Sequence, residues 1–153
     1  MAQQTPLELL IELATHNSDS RIKQLGGALS RESSAAKRLQ MLEDYRRDYL
    51  GTFDRAGRAG LTATALINFY NFLQKLDHAI TQQSQIVAHA QAATLSARND
   101  LRDAEIKKLS LVTLQDRRIA ADRVVDARRE QRQMDEISTR IAVHGVGVDP
   151  KHR

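Results

Sequence analysis

The chain has 153 residues with no Cys and no Trp, and 27% of its residues are charged. The length fits one domain, but the scarcity of large apolar and aromatic side chains excludes a many-layered core and is typical of long helices with narrow apolar stripes. The 23 basic and 19 acidic side chains are interleaved, which is typical of a solvated helix surface.

The first predicted helix covers residues from about 6 to 53. It starts at a capping box, in which Thr5 is the N-cap, Pro6 the first helical residue and Glu8 the side chain that reaches back to the cap. Gly26 and Gly27 lie inside it, at a cost of about 1 kcal/mol each relative to Ala. Its predicted apolar stripe, which Glu32 interrupts, consists of Ile22, Leu25, Leu29, Ala36, Leu39 and Leu42.

A turn is predicted at about residues 54–61, within the glycine-containing sequence GTFDRAGRAGLT, and Thr62 or Thr64 can cap the helix that follows. A turn centred near residue 57 or 58 places Leu42 opposite residue 73 and Pro6 opposite residue 109. The second helix is predicted at about 62–143, and the remaining residues 145–153, with two Gly and a Pro, are predicted to be disordered.

The second helix carries a regular seam, in which steps of three and four residues alternate. Eleven of its fourteen positions are apolar: Leu66, Phe69, Leu73, Leu76, Ile80, Gln83, Val87, Ala90, Thr94, Ala97, Leu101, Ala104, Lys108 and Leu111. This pattern predicts an all-α protein, a single two-helix antiparallel coiled-coil hairpin over residues 1–144 with a longer second helix. About 30 residues after Leu111 then have no partner helix, so we expect another protein to receive them.

The sequence offers no recognisable chemistry. The five His residues are scattered, and the HExxH, CxxC, GxGxxG and phosphate-loop motifs do not occur. We therefore expect a protein that is not an enzyme and has no catalytic residues, no metal site and no cofactor.

All six aromatic residues lie between Tyr45 and Phe72, and three of them fall in the stretch LINFYNFL, residues 66–73. One interpretation is that the rings pack around the turn and stop it fraying. The other is an exposed aromatic patch that binds a partner protein. The second is favoured, because a hairpin turn does not need six rings to close.

Four strings resemble the FliJ family, the small coiled-coil component of the bacterial flagellar type III export apparatus. They are LQMLEDYRRDYL (39–50), INFYNFLQKLDHAI (67–80), TLQDRRIAA (113–121) and QMDEISTR (133–140). The resemblance implies a coiled coil similar to the central stalk of rotary ATPases. It also implies a protein without enzymatic activity that activates the ring of the export ATPase, contacts the export gate (a membrane protein) and handles export chaperones. Such a protein is cytoplasmic and peripheral at the cytoplasmic face of the inner membrane, which it reaches through the gate.

The same resemblance implies two sets of binding residues. The gate-binding patch consists of Leu42, Tyr45, Tyr49, Phe72, Leu76 and Ala79. Arg38 and Gln83 occupy its outer positions with residue types that differ from those of the family. The residues that bind the ATPase ring are Gln115, Asp116, Arg117 and Arg118, at the start of the unpaired stretch.

Two other functions are compatible with the sequence. A basic coiled coil could bind nucleic acid through Arg117, Arg118, Arg123, Arg128, Arg129 and Arg132. The acidic neighbours Asp116, Asp122, Asp126 and Glu130 weaken that field, so nucleic acid is not among the predicted partners. The remaining alternative is a structural coiled coil that self-associates through its unpaired stretch.

Overall fold

The computed structural model describes residues 5–145, which form two helices and, over that range, no strand. Helix α1 is Pro6–Arg58 and helix α2 is Ala63–Gly145, with 53 and 83 residues respectively. The predicted all-α class and the longer second helix are confirmed. Of the predicted disordered tail, only Gly145 lies within the described residues, where it ends α2. Neither helix contains, over the described range, a segment apolar enough to cross a membrane.

The chain divides into two compact units. The hairpin unit is Glu12–Lys107, and the terminal unit combines Met1–Ile11 with Lys108–Arg153. In the hairpin unit, α1 and α2 run antiparallel on either side of one turn. In the terminal unit, the first turns of α1 accompany the C-terminal part of α2.

The predicted capping box is present at the start of α1. The Thr5 amide donates to Glu8 Oε2 at 2.8 Å, and the Glu8 amide donates to Thr5 Oγ1 at 3.3 Å. Two of the amides that have no partner inside the helix are thereby satisfied, which fixes where α1 begins.

The turn is shorter and later than the sequence predicts. Helix α1 continues through Gly51 and Gly57 to Arg58, beyond the predicted end near residue 53, and only residues 59–62 separate it from α2. Glycine inside a helix costs only about 1 kcal/mol, so Gly51 and Gly57 do not by themselves end α1. The chain reverses at Gly60, the one residue between 5 and 145 with positive φ, at 94°. Thr62 Oγ1 then accepts the Ala65 amide at 3.2 Å and caps α2.

The later turn also shifts the predicted alignment of the helices. Arg46 Nε lies 2.5 Å from Asp77 Oδ1, and Arg21 Nη1 lies 3.5 Å from Asp100 Oδ2. Leu42 therefore lies opposite about residue 80, and the predicted position at residue 73 is wrong. The error has a simple cause, because each residue added to α1 before the turn moves its opposite position along α2.

The seam of α2 in the hairpin unit follows the prediction closely. Between Leu66 and Ala104, eleven of the twelve predicted positions are buried or half-buried. The exception is Leu66, beside the turn, which is 39% exposed. A heptad pattern that does not slip thus identifies the contact face correctly.

The stripe predicted on α1 is correct at Leu25, Leu39 and Leu42, which lie half-buried on the seam, and wrong at its other three residues. Ile22, Leu29 and Ala36 are exposed, and Glu32 lies half-buried on the seam that it was predicted to interrupt. The observed seam alternates steps of four and three through Ala14, Ser18, Arg21, Leu25, Ala28, Glu32, Ala35, Leu39, Leu42, Arg46, Tyr49, Phe53 and Ala56. Small side chains at this seam allow close approach of α2, so a search for large apolar residues misses it.

Polar contacts between the helices fix their alignment. The Ser18 hydroxyl donates to Glu105, and Gln83 Nε2 donates to the carbonyl oxygen of Ala35 at 3.0 Å. These contacts are satisfied only in one alignment of the two helices, so they discriminate against slipped pairings. Between them, the buried hydroxyl of Thr94 has no hydrogen-bond partner in the described part of the chain.

Candidate functional site

The six aromatic rings form one connected cluster across the two helices, beside the turn. Phe53 stacks on Phe69 with centroids 3.5 Å apart, and Tyr49 stacks on the same ring at 5.0 Å. Phe72 approaches Tyr49 at 4.7 Å and meets Tyr45 edge-on at 6.1 Å. This aromatic cluster comprises Tyr45, Tyr49, Phe53, Phe69, Tyr70 and Phe72.

Each of the two interpretations of the rings describes part of the aromatic cluster. Phe69 is buried, and Phe53 and Tyr49 are half-buried against it, so these rings hold the helices together near the turn. Tyr45 and Phe72 are exposed by 52% and 37%. The inner rings therefore support outer rings that a partner can reach.

The structure brings the predicted gate-binding residues to one side of the hairpin unit but to different depths. Tyr45 and Phe72 are exposed, whereas Leu42, Tyr49 and Ala79 are half-buried. Leu76 is only 6% exposed and lies on the seam of α2. Leu76 follows Phe72 by one helical turn, but its buried side chain is not part of the exposed surface of the patch.

An apolar groove continues this surface away from the turn. It has a volume of about 450 Å³ and is lined by Arg38, Met41, Leu42, Tyr45 and Gln83. Sequence reasoning missed Met41, which is 69% exposed. The available signal was its spacing, since it precedes Tyr45 by one helical turn and so shares its face.

The other side of the hairpin unit carries a more polar groove. Its lining residues are Glu43, Arg46, Arg47, Leu50, Asp77, Ile80 and Thr81. The hydrogen bond to Asp77, together with the charge of that carboxylate, raises the pKa of Arg46. Arg46 therefore stays protonated, and its ion pair with Asp77 lies within this groove.

In the terminal unit, the four predicted ATPase-binding residues are separated. Half-buried Gln115 and exposed Arg118 line a groove of about 210 Å³ together with Thr5, Leu7, Glu8, Ile119 and Asp122. Arg117 lines a different groove, of about 460 Å³, with Leu109, Ser110, Thr113 and Leu114. Asp116 is exposed and lines neither.

The most distinctive feature of the terminal unit is its bare helix. Every residue from 116 to 144, here called the terminal segment, is exposed. Its large apolar side chains are 43–69% exposed and comprise Ile119, Val124, Val125, Met134, Ile137, Ile141 and Val143. Met134, Ile137 and Ile141 are spaced by three and four residues, so they form one stripe on the helix.

The described residues contain no group of three His, Asp or Glu side chains arranged to hold a metal ion. The distinctive surfaces are instead the exposed rings of the hairpin unit and the exposed aliphatic side chains of the terminal segment. Fold and surface together define the class: an all-helical coiled-coil protein that presents apolar surface to solvent.

Comparison with known proteins gives the family. The family model described as "Flagellar FliJ protein" matches residues 3–146. The flagellar FliJ protein of Escherichia coli (strain K12) is 30% identical over 143 residues, covering 94% of this chain and 97% of that protein. The flagellar FliJ protein of Salmonella typhi is 31% identical over 144 residues with the same coverage. The chain belongs to the FliJ family.

Proposed function

We propose that the protein is a non-enzymatic component of the flagellar type III export apparatus. In this proposal it is a stalk-like activator of the export ATPase ring, links that ring to the export gate and handles export chaperones. Family membership over nearly the whole chain supports the flagellar assignment. The observation that carries the rest is the terminal segment, in which all 29 residues from 116 to 144 are exposed.

A helix with this exposure needs a partner protein that covers its apolar side chains. Isolated helices are marginal in water, and most helical stability in proteins comes from packing an apolar face. The terminal segment retains seven large aliphatic side chains that nothing in the terminal unit covers. A ring that encloses it would bury these side chains, as a rotary ATPase encloses its stalk.

The charges at the start of the terminal segment fit the same partner. Arg117 and Arg118 line grooves of the terminal unit, and neither forms an ion pair within 4.0 Å among the described residues. An exposed guanidinium without an ion pair favours a carboxylate on the partner, because that pairing is charge-assisted and bidentate. We therefore assign the ring-binding role to these two residues together with Gln115 and Asp116.

ATP hydrolysis by the export ATPase ring tests this assignment. Addition of the full-length protein is expected to raise the rate, and Arg117→Ala with Arg118→Ala is expected to reduce that activation. Arg55→Ala with Arg58→Ala, two exposed residues of the hairpin unit, is the matched control. An unchanged hydrolysis rate on addition of the protein would count against the stalk role.

Two exposed rings of the aromatic cluster, those of Tyr45 and Phe72, carry the proposed gate-binding surface. Tyr45 and Phe72 combine a large apolar area with few rotatable bonds, which is typical of binding hot spots. The apolar groove beside Tyr45 can receive a side chain of the partner, and the buried rings hold the surrounding surface in place. Contact with the gate would make the protein peripheral at the cytoplasmic face of the inner membrane.

Affinity for the cytoplasmic part of the gate protein tests the second assignment. Tyr45→Ala and Phe72→Ala are each expected to weaken binding by at least tenfold, since hot-spot truncations cost about 2 kcal/mol or more. Tyr70→Ala is the matched control, because Tyr70 is 56% exposed but lies outside the patch. If both patch variants bind like the unmodified chain while their helical content is unchanged, the gate assignment is wrong.

A further inference from the structure

A second apolar surface of the hairpin unit lies on the side away from the Tyr45 groove. Ile22, Leu29 and Leu95 are 51%, 40% and 61% exposed, and none belongs to the seam or to the aromatic cluster. Ile22 and Leu29 are two of the residues for which the predicted stripe of α1 was wrong. Their exposure leaves them without a structural role inside the chain.

The heptad repeat places these residues on one side. Residues that differ by multiples of seven occupy equivalent positions, so Ile22 and Leu29 share a side with Glu43 and Leu50. On α2, Leu95 shares a side with Thr81 by the same rule. Glu43, Leu50 and Thr81 line one groove between the two helices. The three aliphatic residues therefore face the same side of the hairpin unit.

The alignment of the helices also places them at one level. Arg21 contacts Asp100 at 3.5 Å, and Ile22 follows Arg21 directly. In an antiparallel pair, Leu95 is then opposite about residue 26, between Ile22 and Leu29. Ile22 and Leu29 lie about one helical turn before and after Gly26 on α1, and Leu95 lies at the same level on α2.

Charge is absent from this part of the surface. The nine positions of this side between Ile22 and Ala36 on α1, and between Ser84 and Leu95 on α2, carry no charged residue, although 27% of the chain is charged. We call these positions the uncharged face: Ile22, Gly26, Leu29, Ser33, Ala36, Ser84, Ala88, Gln91 and Leu95. A solvated coiled-coil surface would place charges at such flanking positions.

Gly26 gives the uncharged face a depression. A Cβ at this position would meet no atom within 4 Å, and the φ of Gly26 is not positive, so neither packing nor backbone conformation requires glycine. Glycine here costs about 1 kcal/mol relative to Ala. That cost is explained if another backbone approaches closely between the side chains of Ile22, Leu29 and Leu95.

Arg98 lies at one end of the uncharged face and forms no ion pair within 4.0 Å among the described residues. Arg102, at the same end, pairs with the adjacent Asp103 at 3.7 Å, and Asp19 lies there on α1. The unpaired guanidinium of Arg98 is complementary to an acidic group on whatever covers the face.

The size of the uncharged face limits its occupant. The distance from Ile22 to Ala36 corresponds to 14 residues of helix, or about 21 Å. A patch of this length and two helices in width falls short of the roughly 800 Å² per partner that a stable dimer buries. It matches one face of a single helix of about four turns.

We propose that the uncharged face receives one amphipathic helix from a partner protein, about 14 residues long, with carboxylates at the end that lies near Arg98. The backbone of this helix approaches over Gly26, and its apolar side chains pack among Ile22, Leu29 and Leu95. This surface shares no residue with the proposed gate-binding patch or with the terminal segment.

A stapled 16-residue helical peptide with Leu on one face and two Glu at one end serves as the probe, and fluorescence anisotropy measures its binding to the full-length chain. Leu95→Ser is expected to weaken binding by about tenfold. Met41→Ser, which changes an equally exposed residue in the other groove, is expected to leave it unchanged. A peptide with Lys in place of Glu is expected to bind weakly to the unmodified chain and to regain affinity for the Arg98→Glu variant.

Two results would overturn the proposal. One is equal peptide binding by the Leu95→Ser variant and the unmodified chain, with unchanged helical content for both. The other is a dimer of the chain alone in sedimentation equilibrium that Leu95→Ser abolishes, because a second copy would then be the occupant. In the first case, loss of peptide binding with Met41→Ser would place the helix in the Tyr45 groove.

Discussion

The two parts of α2 differ in what covers them, although both carry regularly spaced aliphatic residues. From Phe69 to Ala104, every position of the predicted seam is buried or half-buried against α1. From 116 to 144, every residue is exposed. The spacing of apolar residues therefore predicts which face of a helix will be buried, but only the length of a neighbouring helix decides whether it is buried within this chain. Where the neighbour ends and the aliphatic residues continue, they indicate a surface for another protein.

Among variants in the two parts of α2, the largest loss of stability is expected for Phe69→Ala. Phe69→Ala removes a 6% exposed ring that stacks on Phe53 and Tyr49, so the free energy of unfolding is expected to fall by about 3 kcal/mol. Ile137→Ala in the terminal segment removes a side chain that is already 53% exposed, and its effect is expected to stay within about 0.5 kcal/mol. Urea denaturation followed by circular dichroism measures both. Equal losses would mean that the terminal segment is packed in solution.

A smaller loss of stability is expected at Leu76. Variants at this residue also distinguish an effect on stability from an effect on binding. Leu76→Ala is expected to lower the free energy of unfolding by about 2 kcal/mol, because the side chain is buried at the seam. Leu76→Met conserves volume and is expected to cost less than about 1.5 kcal/mol. If Leu76 acts in the gate-binding patch only by supporting Phe72, the Met variant keeps its gate affinity when measured by calorimetry. Loss of affinity with the Met variant at unchanged stability would instead assign Leu76 a direct contact.

How well the sequence predicts each helix depends on the size of its seam residues. The seam of α2 contains Phe69, Leu73, Leu76 and Ile80, whose size makes the pattern visible. The most buried apolar positions of α1 are Ala14, Ala28 and Ala35, and alanine is equally common on exposed helix surface. The larger Ile22 and Leu29 were therefore included in the predicted stripe although both are exposed, and nothing local to α1 corrects this.

The candidate site was predictable in outline for a related reason. Because all six rings lie in two short stretches, a cluster was expected, but their depth was not. Depth depends on the alignment of the helices, which Gly60 and the length of α1 determine. Spacing placed Leu76 on the seam and Met41 on the face of Tyr45, but it could not show how far each ring of the cluster is exposed.

Replacement of glycine is expected to act in opposite directions at two positions. Gly26→Ala is expected to raise the free energy of unfolding by about 1 kcal/mol, since the new Cβ meets nothing and the helix gains propensity. Gly60→Ala is expected to lower it by about 1 kcal/mol, because φ is +94° there. Thermal denaturation of the two variants provides the comparison. A destabilising Gly26→Ala would show that this position is already covered within the chain.

The smallest effect is expected at exposed ion pairs, and it distinguishes a contact between helices from one within a helix. The Arg46–Asp77 pair joins α1 to α2, whereas Arg140 and Glu136, 2.8 Å apart, lie one turn apart in the terminal segment. A double-mutant cycle with Arg46→Gln and Asp77→Asn is expected to show a small coupling in the unfolding of the hairpin unit that decreases with added salt. The corresponding cycle with Arg140→Gln and Glu136→Gln is expected to show none, because the terminal segment has no packed neighbour that unfolds with it.

The pKa of Arg46 is raised in the folded state, so the contribution of its charge is complete at neutral pH and is lost only as the pH rises through that elevated pKa. A coupling that disappears between neutral and mildly alkaline pH would therefore show that Arg46 does not keep its proton through this contact.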